Sequence, residues 1–241
     1  MEKKIKLPKA VKIVLIGVIA VNTILLIMVF STKISLSHRY GDIDGDGIIN
    51  IEDEDIDGDG IPNMKDRDAD GDGINNIEDA LKAARGLIGR PYDQSMGGFD
   101  NIFWKFGGIV CIDVINLSFE KAGIYFEKEL RDYFNKNPRI FSSRSWNNPY
   151  DKNFARRVMN LRPFFRAKGY ILNKRQSRDI KPGDIVIFGT GHTALIEKVT
   201  KDGFIAIESA GKRIITMRAD REDIFERCLE RYGDVVYARI Q

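Results

Sequence analysis

The sequence predicts an α+β fold, and three observations lead to it. Up to about residue 180 the apolar side chains of the C-terminal two thirds recur at helical spacing, and from Lys181, Pro182, Gly183 and Asp184 onward the apolar period changes to two. Helices first and strands second make a domain in which a helix packs on an antiparallel sheet. The third observation is chemical: a cysteine stands where an apolar run turns into a helix, and a histidine stands at the mouth of a later strand.

The N-terminal region differs sharply from that domain. Residues 1–12 carry Lys3, Lys4, Lys6, Lys9 and Lys12, and residues 13–30 are uncharged and mostly apolar. Such a run has about the length that crosses a bilayer as a helix, and its basic flank stays in the cytoplasm. We therefore expect a basic tail over 1–12 and a single-pass anchor over 13–31, with the rest of the chain extracytoplasmic at the cell membrane. A cleaved signal peptide is the competing reading, with Ser35 and Ser37 as small-residue cleavage positions; the run exceeds the usual h-region, which favours the anchor.

Residues 42–79 repeat three times with a period of thirteen. Carboxylates fall at loop positions 1, 3, 5 and 12: Asp42, Asp44, Asp46 and Asp53, then Asp55, Asp57, Asp59 and Asp66, then Asp68, Asp70, Asp72 and Asp79. Glycine stands at position 6, and Ile48, Ile61 and Ile74 offer their carbonyls at position 7. Oxygen ligands at that spacing around a sharp turn are how EF-hand loops surround Ca2+. Long flanking helices are missing and aspartate replaces the usual glutamate at position 12, so the segment resembles thrombospondin type 3 repeats. With few apolar residues of its own, it would take its core from a structural Ca2+. A disordered acidic linker is the alternative, and is also the state expected without the metal.

Charge follows the same division. Residues 41–80 hold 15 acidic and 2 basic side chains, whereas residues 81–241 hold 29 basic and 19 acidic. A basic extracytoplasmic domain attracts an anionic envelope polymer or membrane surface. Its location and the lack of any nucleic-acid motif argue against nucleic acid as a partner.

Within 81–241, long enough for one compact core, residues 80–87 read as a short helix leaving the last loop. Val114, Ile115, Ser118, Phe119 and Ala122 predict a helix over 111–122, stopped by Gly123. Residues 127–170 are mixed, with a loop at Asn147, Asn148 and Pro149 and a helix pair over 153–168 broken at Pro163. Strands are expected at 185–188, 193–199, 204–208, 214–217 and 235–240, with a hairpin turn at Lys201, Asp202 and Gly203. Ile224 to Leu229 read as a helix in which Cys228 is structural.

Cys111 falls in the first turn of its helix, where unpaired N–H groups and the helix dipole favour thiolate, the nucleophilic form. A buried core cysteine is the plain alternative. A cysteine nucleophile needs a base, and the chain holds only His38, beside the apolar run, and His192, which opens the strand at 193. Hairpin pairing across Gly203 brings Glu208 back towards His192, where a carboxylate would orient the imidazole. A Cys111–Cys228 disulfide remains open and would abolish the nucleophile. Two cysteines and two histidines at these distances show no zinc spacing.

Cys111 to Ile115, the stretch from Arg156 to Phe165, and Pro182 to Phe188 followed by His192 together resemble the bacterial domain-of-unknown-function 1287 family. That family is similar to NlpC-type cell-wall cysteine peptidases, and the resemblance runs over about 83–241, beginning with Ile88 to Asp93. It implies a papain-like fold with a helix-borne cysteine on an antiparallel sheet, Cys111 and His192 as catalytic residues, and Glu208 where many NlpC-type enzymes have histidine or a neutral amide. It further implies hydrolysis of amide bonds in cell-envelope peptide, on a calcium-stiffened stalk. An acyltransferase or lipid-modifying enzyme of the same fold, and a non-catalytic calcium-dependent adhesion or scaffold protein, are the alternatives.

Overall fold

The computed structural model describes residues 8–9, 11–12, 14–23, 38–93, 108–144, 147–210 and 217–240. Residues 14–23 are helical and exposed. Among the described residues no helix is long and apolar enough to cross a membrane, and residues 24–37, with much of the expected anchor, lie outside them.

The helical half opens with α1 (Asn76–Gly86), four residues earlier than its apolar spacing predicts. The reason is a cap: the Asn75 side chain accepts a hydrogen bond from the Glu78 N–H at 3.1 Å. Glu78 and Asp79 lie in the first turn and Arg85 in the last, the signs that suit the helix dipole. α2 (Cys111–Glu120) follows Ile109, which pairs in parallel with Tyr92 as an isolated bridge. Gly123, at φ 76°, ends it, and the Ile124 N–H returns to the Phe119 carbonyl at 2.9 Å. Ile112, Val114, Ile115 and Phe119 are fully buried, each contributing roughly 1.5–3 kcal/mol of burial. This helix is therefore largely interior, with Cys111, Asn116 and Leu117 partly exposed.

Beyond it come α3 (Phe126–Lys136) and α4 (Val158–Ala167). The helix pair expected over 153–168 is one helix, and Pro163 sits inside it rather than between two pieces. Val158 and Leu161 before the proline and Phe164 and Phe165 after it are all buried in one core, so packing keeps both halves on one axis despite the lost N–H.

Among the described residues five strands make one sheet in the order β4-β3-β2-β1-β5, every neighbour antiparallel. They are β1 (Ile185–Phe188), β2 (His192–Val199), β3 (Phe204–Glu208), β4 (Met217–Asp220) and β5 (Val235–Ala238). The strand expected at 214–217 is described only from Met217, where β4 starts. Ile185, Ile187, Leu195 and Ile207 face the helical layer. Val186, Phe188, Ala194, Ile196 and Ala206 face the other way, against Ile224 and Cys228 of α5 (Arg221–Tyr232). The sheet is thus covered on both faces, which is why β1 reads as a continuous apolar run instead of an alternation.

The boundary expected between 79 and 81 does not coincide with a break in packing. Ala69, from the third repeat, is fully buried in the cluster that holds Phe119, Ile124 and Leu81. Arg39, ahead of the first repeat, pairs with Glu120 at 3.2 Å and Glu127 at 2.7 Å.

Candidate active site

Cys111 is the first residue of α2, half-buried, with the N-terminus of that helix beneath it. Its position is fixed from behind. Asp113, one turn on, accepts a hydrogen bond from the Val110 N–H at 2.8 Å, and the same carboxylate takes the buried Arg156 guanidinium through Nε at 2.9 Å and Nη2 at 2.5 Å. Arg156 Nη1 reaches Asp93 at 3.0 Å, and Asp93 is fully buried. Two buried carboxylates and one guanidinium therefore lock the turn that carries the thiol. Ser209 Oγ adds a bond to the Ile109 carbonyl at 3.1 Å, tying the residues before Cys111 to the end of β3.

His192 opens β2 and is buried. Its Nε2 lies 2.7 Å from Glu208 Oε2, and Cys111 is near enough to be first among the groups that raise the proton affinity of the imidazole. The three residues expected to act together are thus brought together. Glu208 reaches His192 along a diagonal, not from directly opposite: Leu195 pairs with Ile207, so 208 falls two places short of the position facing 192. A bulge at Glu197 shifts the register, and the offset of two keeps both side chains on one face of the sheet.

Electrostatics favours the charged pair. Burial lowers the proton affinity of His192, but the Cys111 charge and hydrogen bond, followed by those of Glu208, outweigh it and push its pKa up to about 9. Glu208 is also penalised by burial, and its bonds to His192 and Arg227 nonetheless hold its pKa below the usual carboxylate range.

Several neighbours of the site carry no local signal. Arg227 on α5 donates to Glu208 Oε1 at 2.5 Å. Tyr232, on the same helix, lies parallel to the imidazole with ring centroids 6.1 Å apart. Ile224, Cys228 and Tyr232 share the α5 face turned to the sheet at spacing four, the one sequence signal that could have placed Arg227 beside them. Tyr92 joins the site from the loop after α1; burial first, then the Cys111 charge, holds its phenol above its usual value. A cleft of ≈ 210 Å³ opens beside His192, lined by Ala210, Arg227, Cys228, Glu230, Arg231 and Tyr232.

Cys228 is buried and, like Cys111, a free thiol, so the disulfide reading does not hold. Burial pushes its pKa up to about 11, which keeps it protonated at neutral pH. Its sulfur, His192 and Glu208 present ligand atoms within 4.8 Å of one another, but the Arg227 charge against Glu208 opposes a cation there. His38 lies away from this site, bonded to the Tyr125 hydroxyl at 3.1 Å.

The repeats form three successive loops. In each, the carboxylates at positions 1, 3 and 5 converge: Asp42, Asp44 and Asp46; Asp55, Asp57 and Asp59; Asp68, Asp70 and Asp72. The glycine at position 6 has φ 93° in the first, 92° in the second and 89° in the third, a backbone that only glycine adopts freely. Asp53, Asp66 and Asp79 at position 12 are more than nine-tenths buried, and Oδ2 of each accepts no hydrogen bond; Asp55 Oδ1 and Asp68 Oδ1 are likewise unsatisfied. Burial and then Asp46 and Asp44 raise the pKa of Asp53, and burial and then Asp72 and Asp70 raise that of Asp79. Buried, unpaired carboxylate oxygens facing further carboxylates fit a hard divalent cation. One regular feature went unread: the buried Asn50, Asn63 and Asn76, each accepting from a backbone N–H seven residues earlier, Ile43, Ile56 and Ala69, at 3.1, 2.9 and 2.9 Å.

A search of curated proteins finds no match. Among solved structures, the chain is similar to the crystal structure of the P60 domain of an antigen from M. avium subspecies paratuberculosis, with 14% identity over 60% of this chain and 85% of that one and a TM-score of 0.34. Residues 105–216 match the family model described as a domain of unknown function, DUF1287, so the chain is similar to that family over the stretch that carries Cys111, His192 and Glu208.

Proposed function

We propose that the chain is a cysteine hydrolase that cleaves amide bonds in cell-envelope peptide, held outside the cell membrane by its N-terminal apolar segment. The observation that carries the chemistry is the imidazole of His192, held by Glu208 at 2.7 Å and raised in proton affinity by its neighbour Cys111, which stands at a helix N-terminus. Cys111 attacks the amide carbonyl as thiolate, forming the S–C bond; the imidazolium of His192 gives its proton to the leaving amine as the C–N bond breaks. Water, deprotonated by the now neutral imidazole, then hydrolyses the thioester and restores the thiol. Glu208 keeps the imidazole oriented and offsets its positive charge.

Ca2+ belongs to this reading as a structural ion. Asp42, Asp44, Asp46 and Asp53 would hold one, and the corresponding residues of the second and third loops two more, each with a position-7 carbonyl. The envelope as substrate rests on the resemblance in sequence and on the surplus of basic side chains in residues 81–241.

The test is incubation of the full chain with isolated cell wall and with defined stem peptides, followed by product analysis. New amine and carboxyl termini in equal amounts, lost by on the order of 10³-fold or more in Cys111→Ala and retained in Cys228→Ala, are expected. A Cys111→Ala protein that still releases product would overturn the assignment.

A further inference from the structure

We propose that the third calcium loop is part of the hydrolase core, so that Ca2+ in it regulates the integrity of the Cys111 site; this rests on the calcium reading above. Asp79 serves two elements at once. It is position 12 of the loop and lies in the first turn of α1, more than nine-tenths buried, and its Oδ2 accepts no hydrogen bond. A buried carboxylate with an unpaired oxygen, facing Asp68, Asp70 and Asp72, is stable only with a cation among them. Without the ion, the relief is for Asp79 to leave, and leaving unwinds the start of α1.

That start is not peripheral. Ala80, Leu81, Ala84 and Leu87 of α1 and the loop after it pack in one cluster with Ile109, Ile112 and Ile115, the residues on either side of Cys111. Ile77 fills the space beside Gly183, just before β1, and Arg85 pairs at 2.7 Å with Glu197 on β2, the strand that begins with His192. One helix thus braces both the cysteine helix and the histidine strand. The loop is also docked at the far end of α2: a Cβ on Gly123 would lie 3.1 Å from the Ala69 carbonyl carbon and 3.2 Å from the Asp70 nitrogen, backbone against backbone. The first loop, by contrast, carries its carboxylates at positions 1, 3 and 5 exposed, where those at positions 1 and 3 of the third loop are half-buried.

Asp72 and Asp46 occupy the same position in the third and first loops and are both exposed, so their replacement disturbs metal binding without touching the core. The experiment takes the full chain as wild type, Asp72→Asn and Asp46→Asn, and measures calcium uptake by calorimetry, thermal unfolding, and hydrogen exchange of 111–120, each with Ca2+ and with a chelator. Chelation of the wild type is expected to lower the unfolding midpoint of the whole domain by roughly 5–10 °C and to speed exchange in 111–120. Asp72→Asn should do most of this even in Ca2+, and Asp46→Asn little of it. Calcium uptake with exchange in 111–120 unchanged by chelation and by Asp72→Asn would overturn the coupling and leave the calcium reading standing. Absence of any uptake by the wild type would overturn both.

Discussion

Arg227 and His192 hold opposite oxygens of one buried carboxylate: Arg227 Nη2 donates to Glu208 Oε1 and His192 Nε2 lies against Oε2, at 2.5 and 2.7 Å. The guanidinium comes from α5 and the imidazole from β2, so Glu208 on β3 is clamped between a helix packed on the sheet and the neighbouring strand. Arg227→Met removes one jaw. Glu208 then binds its proton more readily, and activity, which needs the ionised carboxylate, is lost at higher pH on the acid side than in the wild type. We expect kcat to fall about tenfold with little change in KM, and Arg227→Lys to restore part of it. A pH–rate profile identical to the wild type in Arg227→Met would show that the clamp has no catalytic consequence.

The pH window follows from two opposite shifts. His192 is raised from 6.5 to about 9, so its contribution to the folded pair is complete below its unfolded value and fades as pH climbs through 9. Glu208 is lowered from 4.5, so its contribution is complete above that value and is lost only as pH falls below it. A plateau across neutrality with an alkaline limb near 9 is the expected profile for both activity and the stability increment. Glu208→Gln keeps an acceptor but no charge: the alkaline limb should move down by about a unit and the rate by about tenfold, with Glu208→Ala slower still. An alkaline limb unmoved in both variants would remove Glu208 from the site.

Gly191 lies where no side chain fits. A methyl group there would sit 2.5 Å from Cε1 and 2.6 Å from Cδ1 of Tyr232, the ring parallel to His192. Gly191→Ala should therefore displace Tyr232 and free the imidazole, lowering activity by about tenfold with the unfolding midpoint only slightly changed. Tyr232→Ala in the same background should add little, because the ring has already moved. Additive losses in the double variant would break the link.

Arg156 neutralises Asp113 and Asp93 in the interior. Arg156→Met leaves both buried carboxylates without their counter-charge, for a loss of about 3–5 kcal/mol in denaturant unfolding. Asp93→Asn and Asp113→Asn added to Arg156→Met should recover part of it. If the triple variant is no more stable than the single one, the lost packing of the arginine side chain, rather than charge, sets its importance.

The sheet and its turn were legible because they rest on local signals: short apolar runs rich in β-branched residues, with Asp202 and Gly203 between two of them. The start of α2 was legible for the same reason, since helix spacing and Gly123 bracket it. What sequence could not show is what depends on register and on distant pairs. Continued without a break, the register of Val199 with Phe204 would set His192 three places from Glu208 and on the opposite face; the bulge at Glu197 makes the offset two and brings both side chains to one face. Arg227 meets Glu208 only because α5 folds back over the outer face of the sheet, and Arg156 meets Asp113 across 43 residues of chain. Pro163 misled because a strong local rule, proline as a breaker, yields to the burial of Phe164 and Phe165 behind it.

The three acidic loops repeat in space as well as in sequence. A Cβ on Gly58 would meet Asp44 Oδ2 at 2.9 Å, and thirteen residues on a Cβ on Gly71 would meet the Asp57 side chain at the same distance; Asn63 Nδ2 reaches the Asp53 carbonyl at 2.9 Å and Asn76 Nδ2 the Asp66 carbonyl at 2.8 Å. Each unit thus presents to the next the surface it receives from the one before. Yet the array is tied at both ends, since ahead of its first unit His38 reaches Tyr125 and Arg39 reaches Glu120 and Glu127. The repeats therefore close an arc on the domain, and inserting or removing a unit of thirteen, which keeps the joins between units, would still pull one end of the arc from its seat.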